Sequence, residues 1–262
     1  MRVLITGWAS FLHGEATAGD VRSMQQVAIA LESAGIPHDL VWSPGFRPGD
    51  QCFATTSPRD YTHVVFACGP AQGWQLEELH HQFADLVRIA VGTSVVDAGS
   101  PAVAGFDHVL ARDGNGLEST VDLAAQPGHD HAPVVGVVLA PGQPEFGARR
   151  HHETVHQSLQ DWLARQNAAP LPLDTRLDCS DWKLCSTPDQ FAGLVARTDI
   201  VITTRLHGLV FALSEGVPVL AVDSVAGGGK VTAQARAWDW PAILSAEELT
   251  EPDHAHRVLD RW

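Results

Sequence analysis

Short runs rich in valine, isoleucine and leucine alternate along the chain with longer stretches whose apolar positions recur every three or four residues. The runs VLIT (3–6), HDLVW (38–42), HVVFA (63–67), RIAVG (88–92) and DHVLA (107–111) have the length and β-branched content of buried strands. Between the first two, Val21, Met24, Val27, Ala28, Leu31 and Ala34 fall on one helical face, and Gly35 with Pro37 stops the helix. Strand, helix and strand in that order predict a βαβ unit, and its continuation predicts an α/β protein with a parallel sheet.

The pattern breaks over residues 124–133, AAQPGHDHAP, where two prolines, a glycine and polar residues show no period. A continuous apolar strand, VVGVVLA (134–140), then starts a second series. Helices are expected near 149–166 and 188–197, a strand at DIVITT (199–204), a helix after Gly208, a strand at VPVLAVD (217–223), and a C-terminal helix over 246–261. The break is the expected linker between an N-terminal domain, 1–127, and a C-terminal domain, 134–262, read as two Rossmann-like domains facing across a cleft. A chain of 262 residues suits two domains.

Composition narrows the function classes. With 31 acidic and 17 basic residues the net charge is -14, which repels phosphate backbones and anionic lipid surfaces. Nucleic acid is therefore not an expected partner, although a few arginines in a cleft still outweigh that field locally. The four cysteines form no CxxC pair and no metal-ligand spacing, so reduced thiols and no metal site are expected. MRVLITG leads directly into a strand, and no run approaches 18 apolar residues, so a cytoplasmic protein without a membrane-spanning segment is expected. Oligomeric state is left open.

In open parallel sheets, ligands bind beyond the C-terminal ends of the strands. There the strand DIVITT runs into Arg205, Leu206, His207 and Gly208, placing a cation and a proton carrier at a strand mouth beside a helix N-terminus. A surface arginine and a helix-capping histidine is the alternative reading. Downstream, LAVD (220–223) leads into a glycine-rich loop ending at Lys230, one of two lysines in the chain. Val231 follows the lysine, so this is not a Walker A loop. HETVH (152–156) fits the zincin pattern HExxH, but the stretch that follows, QSLQDWLARQNAAPLPLD, supplies neither the HxxGxxH continuation nor a glutamate, and metalloprotease chemistry is not expected. The first turn lacks GxGxxG, which argues against a dinucleotide site.

The span 188–230, with DIVITTRLHGLVFALSEGVPVLAVD and a lysine beyond it, resembles the polysaccharide pyruvyltransferase family. The resemblance implies a GT-B-like scaffold with the acceptor on the N-terminal domain and the donor on the C-terminal one. It implies transfer of a pyruvyl group from phosphoenolpyruvate to hydroxyls of a saccharide or glycoside as a cyclic ketal, without a separate cofactor. Fainter likenesses lie in GEATAGD (14–20), VGTSV (91–95) and LARDG (110–114). On this basis His207 and Asp20 are the candidate catalytic groups. Arg205, Arg112, Lys230, Ser94, Leu206 and Gly208 are the candidate substrate contacts. Asp20 also reads as a helix N-cap, Arg112 with Asp113 as a turn-stabilising ion pair, and Ser94 as an ordinary strand-end serine. Two other functions fit the same residues: a GT-B-like glycosyltransferase using a nucleotide sugar, and a non-catalytic relative binding an anion or a partner protein.

Overall fold

In a computed structural model, which describes residues 1–114, 116, 118–126 and 131–261, the chain divides into two compact units, Met1–His129 and Asp130–Trp262. Of the expected linker, residues 127–130 lie outside the described residues; its start forms a 3-10 turn, Leu123–Ala125, capped by the Asp122 carboxylate on Ala124 N–H at 2.8 Å.

The first unit is built from strands β1 (Val3–Thr6), β2 (His38–Leu40), β3 (His63–Ala67), β4 (Val87–Val95) and β5 (His108–Gly114), with helices α1 (Ala18–Ser33), α2 (Trp74–Gln82) and α3 (Pro101–Ala104). All neighbouring strands run parallel, in the order β2-β1-β3-β4-β5. Strand alternation decides which core each residue joins. Leu4, Val64 and Phe66 pack on one face with Phe83 and Leu76, while Val3, Ile5, Val65 and Ala67 pack on the other with Met24 of α1. Helix α1 starts earlier than its apolar period suggests. Thr17 is the cap, accepting Asp20 N–H at 3.2 Å, so Asp20 is the third helical residue and not the N-cap. The LARDG segment, expected as a turn, belongs to β5.

The second unit repeats the topology with β6 (Val134–Val138), β7 (Ala169–Pro172), β8 (Ile200–Thr203), β9 (Val219–Asp223) and β10 (Ile243–Ser245), again parallel, in the order β10-β9-β8-β6-β7. Its helices are α4 (His152–Leu163), α5 (Pro188–Val195), α6 (Leu206–Ser214), α7 (Lys230–Ala237), α8 (Ala246–Leu249) and α9 (Pro252–Leu259). Ile202, Leu220 and Val222 line one core, and Val201, Val219 and Ala221 the other. Two expectations change. The C-terminal helix is broken into α8 and α9, because Pro252 has no N–H to continue the ladder and serves as the first residue of a new helix. Helix α6 begins at Leu206, ahead of Gly208.

Candidate functional site

In each sheet the strand order reverses direction between the first strand and the third, and such a switch point leaves a crevice where two crossovers depart to opposite sides. In the second unit it lies between β6 and β8. A cavity of about 280 Å³ opens there, walled by Ala140 and Pro141 after β6, by Thr204, Arg205, Leu206 and His207 after β8, and by Glu145 and Lys230.

The RLHG segment is held by the threonines before it. Thr203 Oγ1 donates to Val138 O at 3.0 Å and accepts Arg205 N–H at 2.9 Å, turning the chain out of the strand. Thr204 Oγ1 accepts Ala140 N–H at 2.8 Å, lacing the two strand ends together. Gly208 is buried, and a Cβ there would stand 2.2 Å from Thr203 Oγ1 and 3.2 Å from Val138 Cβ. Gly208 thus lets α6 rest directly on the sheet; it is not among the residues walling the cavity. Arg205 is the cap residue of α6 and gives no side-chain cap, so the helix presents its first backbone N–H groups uncapped beside the arginine.

The Arg205 side chain is mostly covered, 18% exposed, and is steered by Asp174 Oδ1 at 3.5 Å and by the Thr175 hydroxyl, both reached through Nη1. Burial pushes the Asp174 carboxyl up, but hydrogen bonds from Arg176 and the charge of Arg205 outweigh it and leave it below the usual carboxylate range. His207, at the second helical position, is exposed, and so is Lys230 at the start of α7. The loop before Lys230 is organised by Asp223, which is 2% exposed: its Oδ2 accepts Gly229 N–H at 2.6 Å, Thr232 N–H at 2.9 Å and the Thr232 hydroxyl at 2.8 Å. A buried carboxylate therefore begins α7 and sets where its lysine starts.

The remaining sequence candidates lie in the first unit. Arg112 on β5 spends each guanidinium nitrogen: Nε on Asp113 at 2.7 Å, Nη2 on Ser94 Oγ at 2.7 Å, and Nη1 on Asp122. Hydrogen bonding to Asp113 and Asp122 raises the arginine, and Asp122 is held low by Ala124 N–H and by Arg112. Ser94 is engaged by the arginine, and the Asp20 carboxylate accepts the Thr17 hydroxyl at 2.6 Å. A cavity of about 410 Å³ in this unit is walled by Phe11, Phe53, Trp74 and His13, with neither lysine nor arginine among its lining residues. Of these two cavities, only the one in the second unit has cationic side chains on its wall.

Sequence reasoning did not single out Thr204, Asp223 or Glu145, and it weighed His156 only as part of HETVH. HETVH, set aside as a zincin motif, puts His152 and His156 on one face of α4, turned inward, with Glu153 exposed. Among the described residues no group of three potential ligands could hold a metal ion. Burial and the nearby His152 lower His156 to about 4, and burial with the charge of Arg150 lowers His152.

Residues 147–224, which carry HETVH and RLHG, match the polysaccharide pyruvyl transferase family model. The match supports a transferase, and polysaccharide pyruvyl transfer in general terms. No curated protein matches the chain. Solved structures similar to it include E. coli heptosyltransferase WaaC with ADP-2-deoxy-2-fluoro heptose, at 13% identity and a TM-score of 0.30, covering 100% of this chain and 99% of that one. UDP-GlcNAc 2-epimerase from Methanocaldococcus jannaschii, in complex with UDP-GlcNAc and UDP, is similar at 9% identity and a TM-score of 0.32, with 100% and 99% covered. Among the described residues no helix is long and apolar enough to cross a membrane.

Proposed function

We propose that the chain is a pyruvyltransferase that takes its pyruvyl group from phosphoenolpyruvate and sets it as a ketal on two hydroxyls of a saccharide or glycoside. The reading is carried by one observation: a small pocket at a topological switch point gathers Arg205, His207, Lys230 and an uncapped helix N-terminus. Its volume of about 280 Å³ is at the low end for ligand sites, a size that suits a three-carbon acid better than a nucleotide sugar.

In this reading Arg205 and Lys230 hold the carboxylate and phosphate of the donor, with the first-turn N–H groups of α6 beside them. Protonation of the methylene carbon makes the methyl group and leaves an oxocarbenium centre at C2. One acceptor hydroxyl adds there and gives up its proton. The second adds as the C2–O bond to phosphate breaks, and its proton leaves with inorganic phosphate. His207, exposed on the pocket wall, is assigned the delivery or removal of a proton in this reading. Glu145 is the carboxylate on the same wall. Asp20 is kept as an acceptor contact or base of the first unit. Arg112 and Ser94, which satisfy one another and two carboxylates, are given no role toward the donor.

Thermal shift with phosphoenolpyruvate, set against nucleotide sugars, tests the donor, because a ligand that binds only the folded state raises the melting temperature. Phosphate release is then followed with a panel of glycosides. Stabilisation by phosphoenolpyruvate and acceptor-dependent release support the reading. Stabilisation by a nucleotide sugar alone overturns it in favour of glycosyl transfer.

A further inference from the structure

Of the two histidines of HETVH, His156 stands against the pocket wall, and neither has a part in the chemistry above. His152 is 3% exposed and His156 is half-buried, with ring centroids 6.1 Å apart. Nε2 of His156 lies 3.1 Å from Thr204 Oγ1, the same oxygen that accepts Ala140 N–H at 2.8 Å. Thr204 and Ala140 both wall the pocket, one on each side of the switch point.

A threonine hydroxyl has one proton and two lone pairs. Ala140 N–H occupies one lone pair, so the state of His156 decides the remainder. When Nε2 carries a proton it donates to the second lone pair, and the hydroxyl proton is left for the occupant of the pocket. When Nε2 is bare it accepts the hydroxyl's hydrogen bond, and Thr204 offers that occupant a lone pair but no donor. Burial beside His152 keeps the imidazole neutral near pH 7, so the variable is the tautomer and not the charge. An anion between Arg205 and Lys230 selects the Nε2–H tautomer, because only that arrangement adds a donor toward negative charge.

We infer that His156 is a positioning residue of this pocket: through Nε2 it sets the Thr204 hydroxyl as a hydrogen-bond donor to the bound anion. The inference rests on the pocket being the anion site proposed above, and is independent of which anion binds or what reaction follows.

The test titrates the full chain calorimetrically with inorganic phosphate and with phosphoenolpyruvate, comparing the wild type with His156→Phe, His156→Gln and Lys230→Ala. In parallel, the imidazole nitrogens of the wild type are followed by NMR as phosphate is added. His156→Phe is expected to weaken phosphate about tenfold, the scale of one hydrogen bond to a charged group. His156→Gln, whose amide donates from near the place of Nε2, is expected to stay within about threefold of the wild type. The His156 signals should move to the Nε2–H pattern as phosphate saturates. Unchanged binding by His156→Phe, with loss in Lys230→Ala, overturns this inference and leaves the anion site standing. Equal loss in the Phe and Gln variants, with His156 signals unmoved by phosphate, marks a merely structural residue and also overturns it. No binding of either ligand by the wild type overturns both readings. Should the Phe variant fail to fold, the Gln variant and the wild-type spectra still decide.

Discussion

At the switch point of the first unit an indole stands where the second unit has a pocket. Strand register makes the two places comparable: Thr6 pairs with Phe66 in one sheet, and Val138 with Thr203 in the other. Two residues further on come Trp8 and Cys68 in the first unit, and Ala140 and Arg205 in the second. Trp8 packs edge-on against Phe11 and Phe66, and it lies so close to Gly69 that a Cβ there would be 2.2 Å from its Cδ1. Ala140 fills almost nothing, and a cavity of about 280 Å³ remains. Arg112, on the edge strand β5, and Arg205, beyond the central strand β8, differ in the same sense. Arg112 has a partner at each nitrogen, two of them carboxylates, whereas the partners of Arg205, Asp174 and Thr175, both meet one nitrogen, Nη1. A shared topology offers a crevice; the size of one side chain decides whether it stays open, and the number of nearby carboxylates how fully its arginine is paired.

The largest expected effect separates the proposed chemistry from the scaffold. His207→Ala should lower transfer about 10²- to 10⁴-fold, the usual worth of a general acid or base, while the melting temperature stays within about a degree because the side chain is exposed. Steady-state phosphate release and calorimetry check the two halves of that statement, and full activity in the variant ends the role given to His207. Next, Trp8→Ala should cost the first unit about 3 kcal/mol, the low end for loss of a large aromatic since Trp8 is only half-buried, yet leave phosphate affinity within about twofold. Loss of phosphate binding in that variant would mean that the filled switch point also serves the anion site.

Gly208→Ala should destabilise the second unit by about 1–3 kcal/mol, since the new methyl group meets Thr203 and Val138 in a packed interface. Calorimetry of the second unit's transition measures it. The smallest effect, taken per pH unit, is a pH dependence of stability. His156 is depressed to about 4 in the fold, so between pH 6.5 and 4 the unfolded chain binds a proton that the folded one refuses, and stability falls as pH falls through that window. The slope approaches ~1.4 kcal/mol per pH unit at most for one such group, and His152, lowered in the same direction, adds to it. Melting curves of the His152→Asn, His156→Gln double variant should show a flatter slope over that range.

Much of the architecture was legible from local pattern. Valine-rich runs predicted β1, β3, β6, β8 and β9, because both faces of those strands are buried and leave an unbroken apolar record. Strand β7 escaped notice: its residues, APLP, are exposed and half of them proline, which only an edge strand tolerates. Helix α7 and strand β10 were missed too, the first because its cap is the side chain of Asp223, seven residues before Lys230, and the second because it is three residues long. The candidate site divides along the same line. RLHG and Lys230 were visible as charges in an apolar neighbourhood, whereas Thr204 and His156 carry no signal apart from a motif that pointed to a metal.

From its sequence alone this protein is an α/β chain of two units, with a cation and an imidazole where a strand passes into a helix, because burial period and strand-end position are written in neighbouring residues. Folding decided which arginine, among the described residues, has a partner at every nitrogen. Arg112 meets Asp122 only when β5 and the loop after it come together, and Arg205 meets Asp174 only when β8 is laid beside β6 and the chain that follows β7. Hydrogen bonds and charge act over a few ångströms of space, so partners ten or thirty residues apart become partners only in the tertiary structure.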